Sequence, residues 1–437
     1  MENNTHGKMG EMVFVAAGDV FVNRDIFPDS AFRDLQEFIR GADARFCNLE
    51  TTFASADASP AAISGGTWAR TSENHANILT DYGFNIVAAA TNHALDFGER
   101  GLLDTIGALR KAGLAHAGLG TDLAQASKAC FVETAAGRVG LISMASTFHE
   151  SAAAGAQRMD MRGRPGVNPL RHRTVYTLPA AEIECLRSIA QATGINDHDS
   201  LRIKEGFSLA ADGVDHVFGG IGFRAGPEPG PVSRPDARDM ARTLAGIRDA
   251  RAQADYVLVS IHSHEMHRGN KCAPAGFLKE AAHAYIDAGA HAILCHGPHV
   301  MRGLEIYKGC PIFYSLGNFI FQNETVASLP SDFYENYGLD ERASPQEAFD
   351  ARSDQGRRGL ATNPDIWRAV MPRWTMKEGQ LEALTLHPVT LGPGQPRWRR
   401  GTPALVPDED ILRDFQKLCE PYGTRLHIED GMGRLVM

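Results

Sequence analysis

Residues 290–322 read AHAILCHGPHVMRGLEIYKGCPIFYSLGNFIFQ, and this stretch decides the fold. Its first part, His291 to Cys295, is a short apolar run of strand character that stops at a Gly-Pro turn flanked by His296 and His299. Two imidazoles thus leave the carboxyl end of a strand, the place where open α/β sheets put their chemistry. A second apolar run, Ile312 to Leu316, ends in Gly317 and Asn318 and sets another polar side chain after another strand end. The stretch reads as half of a metal site.

Working outward, the other half is sought at strand ends elsewhere. Upstream, ADYVLVSI is a strongly apolar strand running into His262-Ser263-His264-Glu265-Met266-His267, and strand alternation would send His262 and His264 to one side. It lies between two predicted helices, DARDMARTLAGIRDARAQ and GFLKEAAHAYIDAGA. Near the amino terminus MVFVAAGDV stops at Gly18-Asp19, ARFCNLETTF leaves Asn48 and Glu50 where its apolar run ends, and FNIVAAA runs directly into Thr91-Asn92-His93-Ala94-Leu95-Asp96. A helix follows, with Glu99 near its start and Leu102, Leu103, Ile106 and Leu109 at helical spacing. Five strand ends therefore offer Asp19, Glu50, Asn92 with His93, His262 with His264, and His296 with His299. These are oxygen and imidazole donors without a matching thiolate, which suits Mn²⁺, Fe²⁺ or Zn²⁺. They are more than one tetrahedral zinc uses, so two divalent ions sharing a carboxylate is the economical reading.

Composition limits what else the chain can be. It has 437 residues, 43% of them hydrophobic, a net charge of −9 and a pI near 6.0. That is enough to bury a large core, and without a Lys/Arg block it lacks the footprint of a nucleic-acid binder or of an anionic-membrane binder. Residues 1–12 carry no apolar leader core and no run reaches the length of a membrane span, so a cytoplasmic location is expected. Seven cysteines are scattered without CxxC spacing, which argues for reduced, buried thiols. No phosphate-binding glycine motif follows a strand, and no internal repeat is visible.

The remaining segments read as scaffold and insertions. AHAGLG and the hairpin ACFVET/AAGR/VGLISMA continue the core. From 149 to 235 the periodicity fades into Gly/Pro-rich clusters and scattered arginines, read as an insertion or cap; Arg224, in IGFRAG, is the candidate for meeting an anionic substrate. Beyond Gln322 a polar, irregular segment is expected to about Asn363. A hairpin, IWRAVMPRWTMK with QLEALTLHPVTL, and a surface helix, PDEDILRDFQKLCEPYG, then close the chain. The expected organisation is a core of 12–148 and 236–322, the 149–235 insertion, and a 323–437 extension.

The segments GDV, CNLET, ATNHALDFG, SIHSHE and HGPHVMRGLEIYKGCPIFYSLGNFIF resemble the successive motifs of the CapA family of poly-γ-glutamate capsule synthesis proteins, which is similar in turn to the calcineurin-like metallophosphoesterases. The resemblance covers roughly residues 12–322. It implies an α/β fold, a four-layer α/β/β/α sandwich with a dinuclear centre at one edge. Asp19 would bind the first metal and Glu50 would bridge. Asn92, His262 and His296 would complete the second metal, and His299 would return to the first. His93, steadied by Asp96, would be the general acid. Three departures stand out: Phe21 occupies the place of a phosphoesterase histidine, the last motif is HGPH rather than GHxH, and HSHE replaces HWGxE, bringing His264 or Glu265 into an expected ligand's place. Arg224, Asn318 and Glu265 are the candidate substrate contacts. The resemblance implies hydrolysis of a small or short oligomeric substrate. Its phosphoesterase side points to a phosphoester; its γ-glutamyl association and the missing histidine point to a carboxylated amide. A non-catalytic component of capsule polymer synthesis is the competing class.

Overall fold

A computed structural model describes residues 10–436. Most of the 1–12 segment, through Met9, falls outside the described residues. Two sheets face each other. In the first, the parallel strands Met12–Phe21, Ala44–Leu49, Ile86–Ala88 and Ala115–Ala117 lie side by side. The antiparallel pair Arg368–Lys377 and Gln380–Thr390 extends it on the other side of Met12–Phe21. In the second, Gly137–Ala145, Tyr256–His262, Ala292–His296 and Cys310–Leu316 run parallel, with antiparallel edges Cys130–Thr134 and Met301–Tyr307.

Alternation along the first strand explains the layering. Met12, Phe14 and Ala16 join Phe46, Ile86 and Leu258 in the core between the sheets, whereas Val15 and Ala17 turn to the opposite face. There they meet Leu35 and Ile39 of helix Ser30–Arg40, Leu79 of Ala76–Tyr82, and Leu102 and Leu109 of Gly98–Lys111. The far face of the second sheet is covered by Ala237–Arg251 and Gly276–Asp287, through Ile247, Leu278 and Tyr285, while Glu409–Cys419 packs through Phe415 against the Met301–Tyr307 edge and the Arg368–Lys377 and Gln380–Thr390 strands of the first sheet. The result is the expected four-layer α/β/β/α sandwich. Each such buried Leu, Ile or Phe contributes about 1.5–3 kcal/mol of transfer free energy, so the scaffold holds the strand ends rigidly.

Two segments differ from the sequence reading. The stretch expected to be irregular up to Asn363 contains helices Ser331–Asn336 and Pro345–Ser353; the second has a Ser344–Glu347 capping box, proline in its first turn, and buried Ala348 and Phe349. Within 149–235, strands His172–Leu178, His216–Phe218, Ile221–Ala225 and Gly230–Pro235 form a small sheet beside helices Ala180–Thr193 and Asp197–Lys204. Most of its strand residues are only half-buried, so no clean alternation marks them. All seven cysteines are free, and no helix among the described residues is long and apolar enough to cross a membrane.

One core imidazole gives the scaffold a predictable acid limb. His291 accepts the Val257 N–H at Nδ1 (3.0 Å), and burial lowers its pKa from 6.5 to about 3. Between those values the unfolded chain binds a proton that the folded chain refuses. This contribution to stability is therefore complete above pH 6.5 and is lost as pH falls toward 3. At pH 5 the loss amounts to about 2 kcal/mol. His291→Gln, which keeps an acceptor, should unfold in urea at a midpoint less dependent on pH between 8 and 5 than that of the parent. Equal pH dependence in the two proteins would reject the assignment.

Candidate metal centre

The strand ends converge at one edge of the sandwich. Asp19 reaches the cavity because Gly18 lets the Met12–Phe21 strand approach the 316–318 turn: a Cβ on Gly18 would lie 1.8 Å from the Gly317 carbonyl, and the Asp19 N–H donates to that carbonyl at 3.1 Å. Asp19 is fully buried. Its Oδ1 accepts from Asn48 Nδ2 at 2.8 Å and its Oδ2 from the Gly297 N–H at 3.0 Å. Gly297 has φ +113°, and an added Cβ would press on the rings of His262 and His264 at 3.0–3.2 Å, which explains the glycine of the HGPH turn. His299, two residues on, is itself held at φ +60°, a left-handed backbone uncommon outside glycine.

Two donor groups form. Asp19, His262 and His296 offer atoms within 4.8 Å of one another, and so do Glu50, His264 and His299. The groups touch. His262 Nε2 is 3.0 Å from His264 Nε2, 3.5 Å from Glu50 Oε1 and 2.8 Å from Asn92 Oδ1, while its Nδ1 lies 3.0 Å from His296 Nδ1. His299 Nδ1 is 3.7 Å from Glu50 and 3.8 Å from Asp19. All seven residues read from the sequence as ligands thus meet here, with His299 in reach of both Asp19 and Glu50 and His262 in reach of both Asn92 and His296. Strand alternation is also not what brings His264 in. The strand ends at His262, and a loop pinned by the His264 N–H to Thr147 Oγ1 (2.8 Å) turns the second ring back.

The donor set fits a cation. Glu50 is fully buried, and neither carboxylate oxygen has a hydrogen-bond partner. Asn92 Nδ2 donates to the Gly65 carbonyl, so its Oδ1 faces His262 as a further acceptor. A buried carboxylate without a donor costs several kcal/mol, and lone pairs converging with too few protons between them are what a metal ion would satisfy. The electrostatics agree. Desolvation raises Asp19 to about 7 and, with Asp19 and Asp96 nearby, pushes Glu50 well above the carboxylate range. Desolvation also lowers His262, His264, His296 (to about 3) and His299 (to about 4), keeping the imidazoles neutral and able to coordinate.

Neighbouring groups orient these donors. Ser260 Oγ meets His296 Nε2. Asn318, read from the sequence as a substrate contact, is buried; its Oδ1 lies 2.9 Å from His299 Nδ1 and its Nδ2 donates to the Ile366 carbonyl. Glu265 accepts from Ser146, Ser263 and Thr147 and so braces the His264 loop. Arg224 is exposed on the Ile221–Ala225 strand of the small sheet, and no hydrogen bond or ion pair joins it to the centre. His93 Nδ1 is 2.7 Å from Asp96 Oδ2, and Asp96 also accepts the Gly65 and Ala69 N–H groups at 2.8 Å each. His93 lines the mouth of the centre and meets Phe21 edge-on, with ring centroids 5.3 Å apart.

Sequence reasoning did not single out Arg302, Lys271 or Ser260. Arg302 is wholly buried and donates to the backbone carbonyls of Ser263, His264, Glu265 and Lys271, tying the ligand loop to the neighbouring Asn270–Pro274 strand. Its only signal was a charge inside the Met301–Tyr307 strand, which also carries Glu305.

Comparison with known proteins supplies the family. A model for the bacterial capsule synthesis protein PGA_cap matches residues 13–323. An uncharacterized Sinorhizobium fredii protein, y4sH, is 34% identical over 96% of this chain and 92% of its own. The PGA biosynthesis protein CapA of Bacillus subtilis is 25% identical over 58% of this chain and 46% of its own, and a probable polyglutamine synthesis accessory protein of Mycobacterium tuberculosis is 26% identical over 66% and 58%. With that match running through every strand end of the centre, the chain belongs to the bacterial capsule synthesis protein PGA_cap family.

Proposed function

We propose that this chain is a metal-dependent hydrolase that holds two divalent cations, Mn²⁺, Zn²⁺ or Fe²⁺, and cleaves a small or short oligomeric carboxylated amide of the γ-glutamyl or N-acyl kind. The observation that carries this reading is Glu50, a fully buried carboxylate with two unpartnered oxygens between His262, His264 and His299. Asp19, Asn92 and His296 complete the set. Cations bound in such a set supply Lewis acidity toward a substrate oxygen and a water acidified toward neutral pH.

The chain's own residues do the rest. Asp96 engages His93 Nδ1 and leaves Nε2 as the nitrogen free to give a proton to the departing group. Asn318 and Ser260 hold His299 and His296 in their rotamers, and Phe21 and Phe321 narrow the mouth against bulk water. A phosphoester is the second reading, favoured by a donor set of carboxylates and imidazoles that suits a phosphoryl oxygen equally well. A non-catalytic role in polymer synthesis is favoured by the accessory name of the mycobacterial relative.

Elemental analysis of the purified protein, followed by turnover of γ-glutamyl p-nitroanilide, N-acetylglutamate and bis-p-nitrophenyl phosphate, separates the three. The expected result is close to two ions per chain and metal-dependent release from an amide. Release from the phosphodiester alone selects the second reading. Bound metal with no turnover of any selects the third.

A further inference from the structure

Above the ligands lies a cavity of about 160 Å³ whose walls include Phe21, His93, Phe321, Lys271 and Arg352, with His264 and His299 at its base. Two of those walls are cationic, Lys271 and Arg352. Among the described residues no carboxylate is in ion-pair range of the Lys271 ammonium; its surroundings are burial and the like charge of Arg302, both of which lower its pKa. Its backbone is fixed, because Arg302 Nε donates to the Lys271 carbonyl at 2.8 Å while the same guanidinium grips the 263–265 loop.

Arg352 likewise has no acidic partner among the described residues. Its Nη1 donates to Thr67 Oγ1 at 2.7 Å, and the guanidinium lies over the Phe333 ring, 5.8 Å from the centroid. Nearby Arg397 and Arg400 are neutralised by Asp350 and Glu324. Two unneutralised cations lining one small mouth create a positive potential that favours an anion there.

We propose that Lys271 and Arg352 are specificity-determining residues that bind a compact anionic oxyacid group of the substrate, carboxylate or phosphate, at the mouth of the metal centre. The inference deepens the hydrolase reading and rests on the same site. The volume admits such a head group with only a few further atoms, and Gly65 and Asn92 are shared with a cavity of about 520 Å³ lined by Ile63, Leu95 and Phe148 that has room for the rest of the molecule. Removing either charge-assisted hydrogen bond to that group should weaken binding about 10-fold or more.

The test uses inorganic phosphate and glutarate as probes, titrated calorimetrically into the protein with Mn²⁺ bound and into the metal-stripped protein. Lys271→Met and Arg352→Gln should each weaken the preferred anion about 10-fold and the double variant about 100-fold, with metal content and melting temperature near those of the parent. Lys271→Arg should retain most of the affinity. Preference for glutarate identifies a carboxylate head and preference for phosphate a phosphoryl head; either supports the proposal. Unchanged anion affinity in the double variant, or no anion binding by the parent, would overturn it. Failure of the hydrolase reading looks different: discrimination between parent and variants persists while no substrate turns over.

Discussion

Glu50→Gln should empty the metal centre and abolish turnover, while leaving the metal-free protein as stable as the parent or more so at neutral and higher pH. The first part follows from charge: Glu50 lies within 3.5–3.7 Å of nitrogens of His262, His264 and His299, so its carboxylate is the negative charge that both donor groups share. A neutral amide there offers one oxygen and places an N–H₂ among acceptors. Elemental analysis should find occupancy of both sites reduced together, and the rate should fall at least about 10³-fold, the scale of losing an electrostatic stabiliser in a water-poor site.

The second part follows from the proton balance of the metal-free state. Burial raises the folded pKa of Glu50 well above 4.5. Between the unfolded and folded values the folded chain holds a proton the unfolded chain has released, so the parent loses stability as pH rises through that window. The variant has no such loss at this position, though Asp19, raised to about 7, keeps its own. Melting temperatures of the stripped proteins at pH 5 and pH 8 measure the difference. Unchanged metal content in the variant would remove Glu50 from the bridge.

His93→Ala should lower the hydrolytic rate by about 10²- to 10⁴-fold on a substrate with a poor leaving group, with metal content intact. A p-nitroanilide, whose leaving group departs with little help, should suffer much less. His93 is hydrogen-bonded to Asp96 and lines the mouth, whereas the two ligand groups form without it. Asp96 keeps two backbone donors after the change, so folding survives. Equal losses on both leaving groups with full metal content would count against the general-acid role, and loss of metal would make His93 a ligand.

How far these residues could be read in advance depends on how each is placed. Asp19, Glu50, Asn92, His93, His262, His296 and His299 all follow apolar runs within a few residues, and a chain that buries a parallel strand must deliver the residues after it to one edge of the sheet. The layers were legible only through the family resemblance, because residues 12–17 are apolar throughout and the structure alone turns Met12, Phe14 and Ala16 to one face and Val15 and Ala17 to the other. By contrast, the helices of 331–353 and the small sheet within 149–235 bury little of themselves, so the hydrophobic pattern there is weak. Arg224 belongs to such a segment, and the structure leaves it away from the centre.

By itself the sequence determined the strands, the order of their polar ends and the kinds of donor atoms they carry, because burial and strand periodicity act over a few residues; the stacking of two sheets was implied by the family resemblance. Tertiary structure alone decided which donors lie together, that His264 arrives by a pinned loop, that Asn318 lies against His299 and Glu265 against the His264 loop, and that Lys271 and Arg352 have no acidic partner among the described residues. Those outcomes depend on side chains far apart in the chain, such as Asp19 with Gly297 and Arg302 with Lys271, whose separation in space is set by how the two sheets stack.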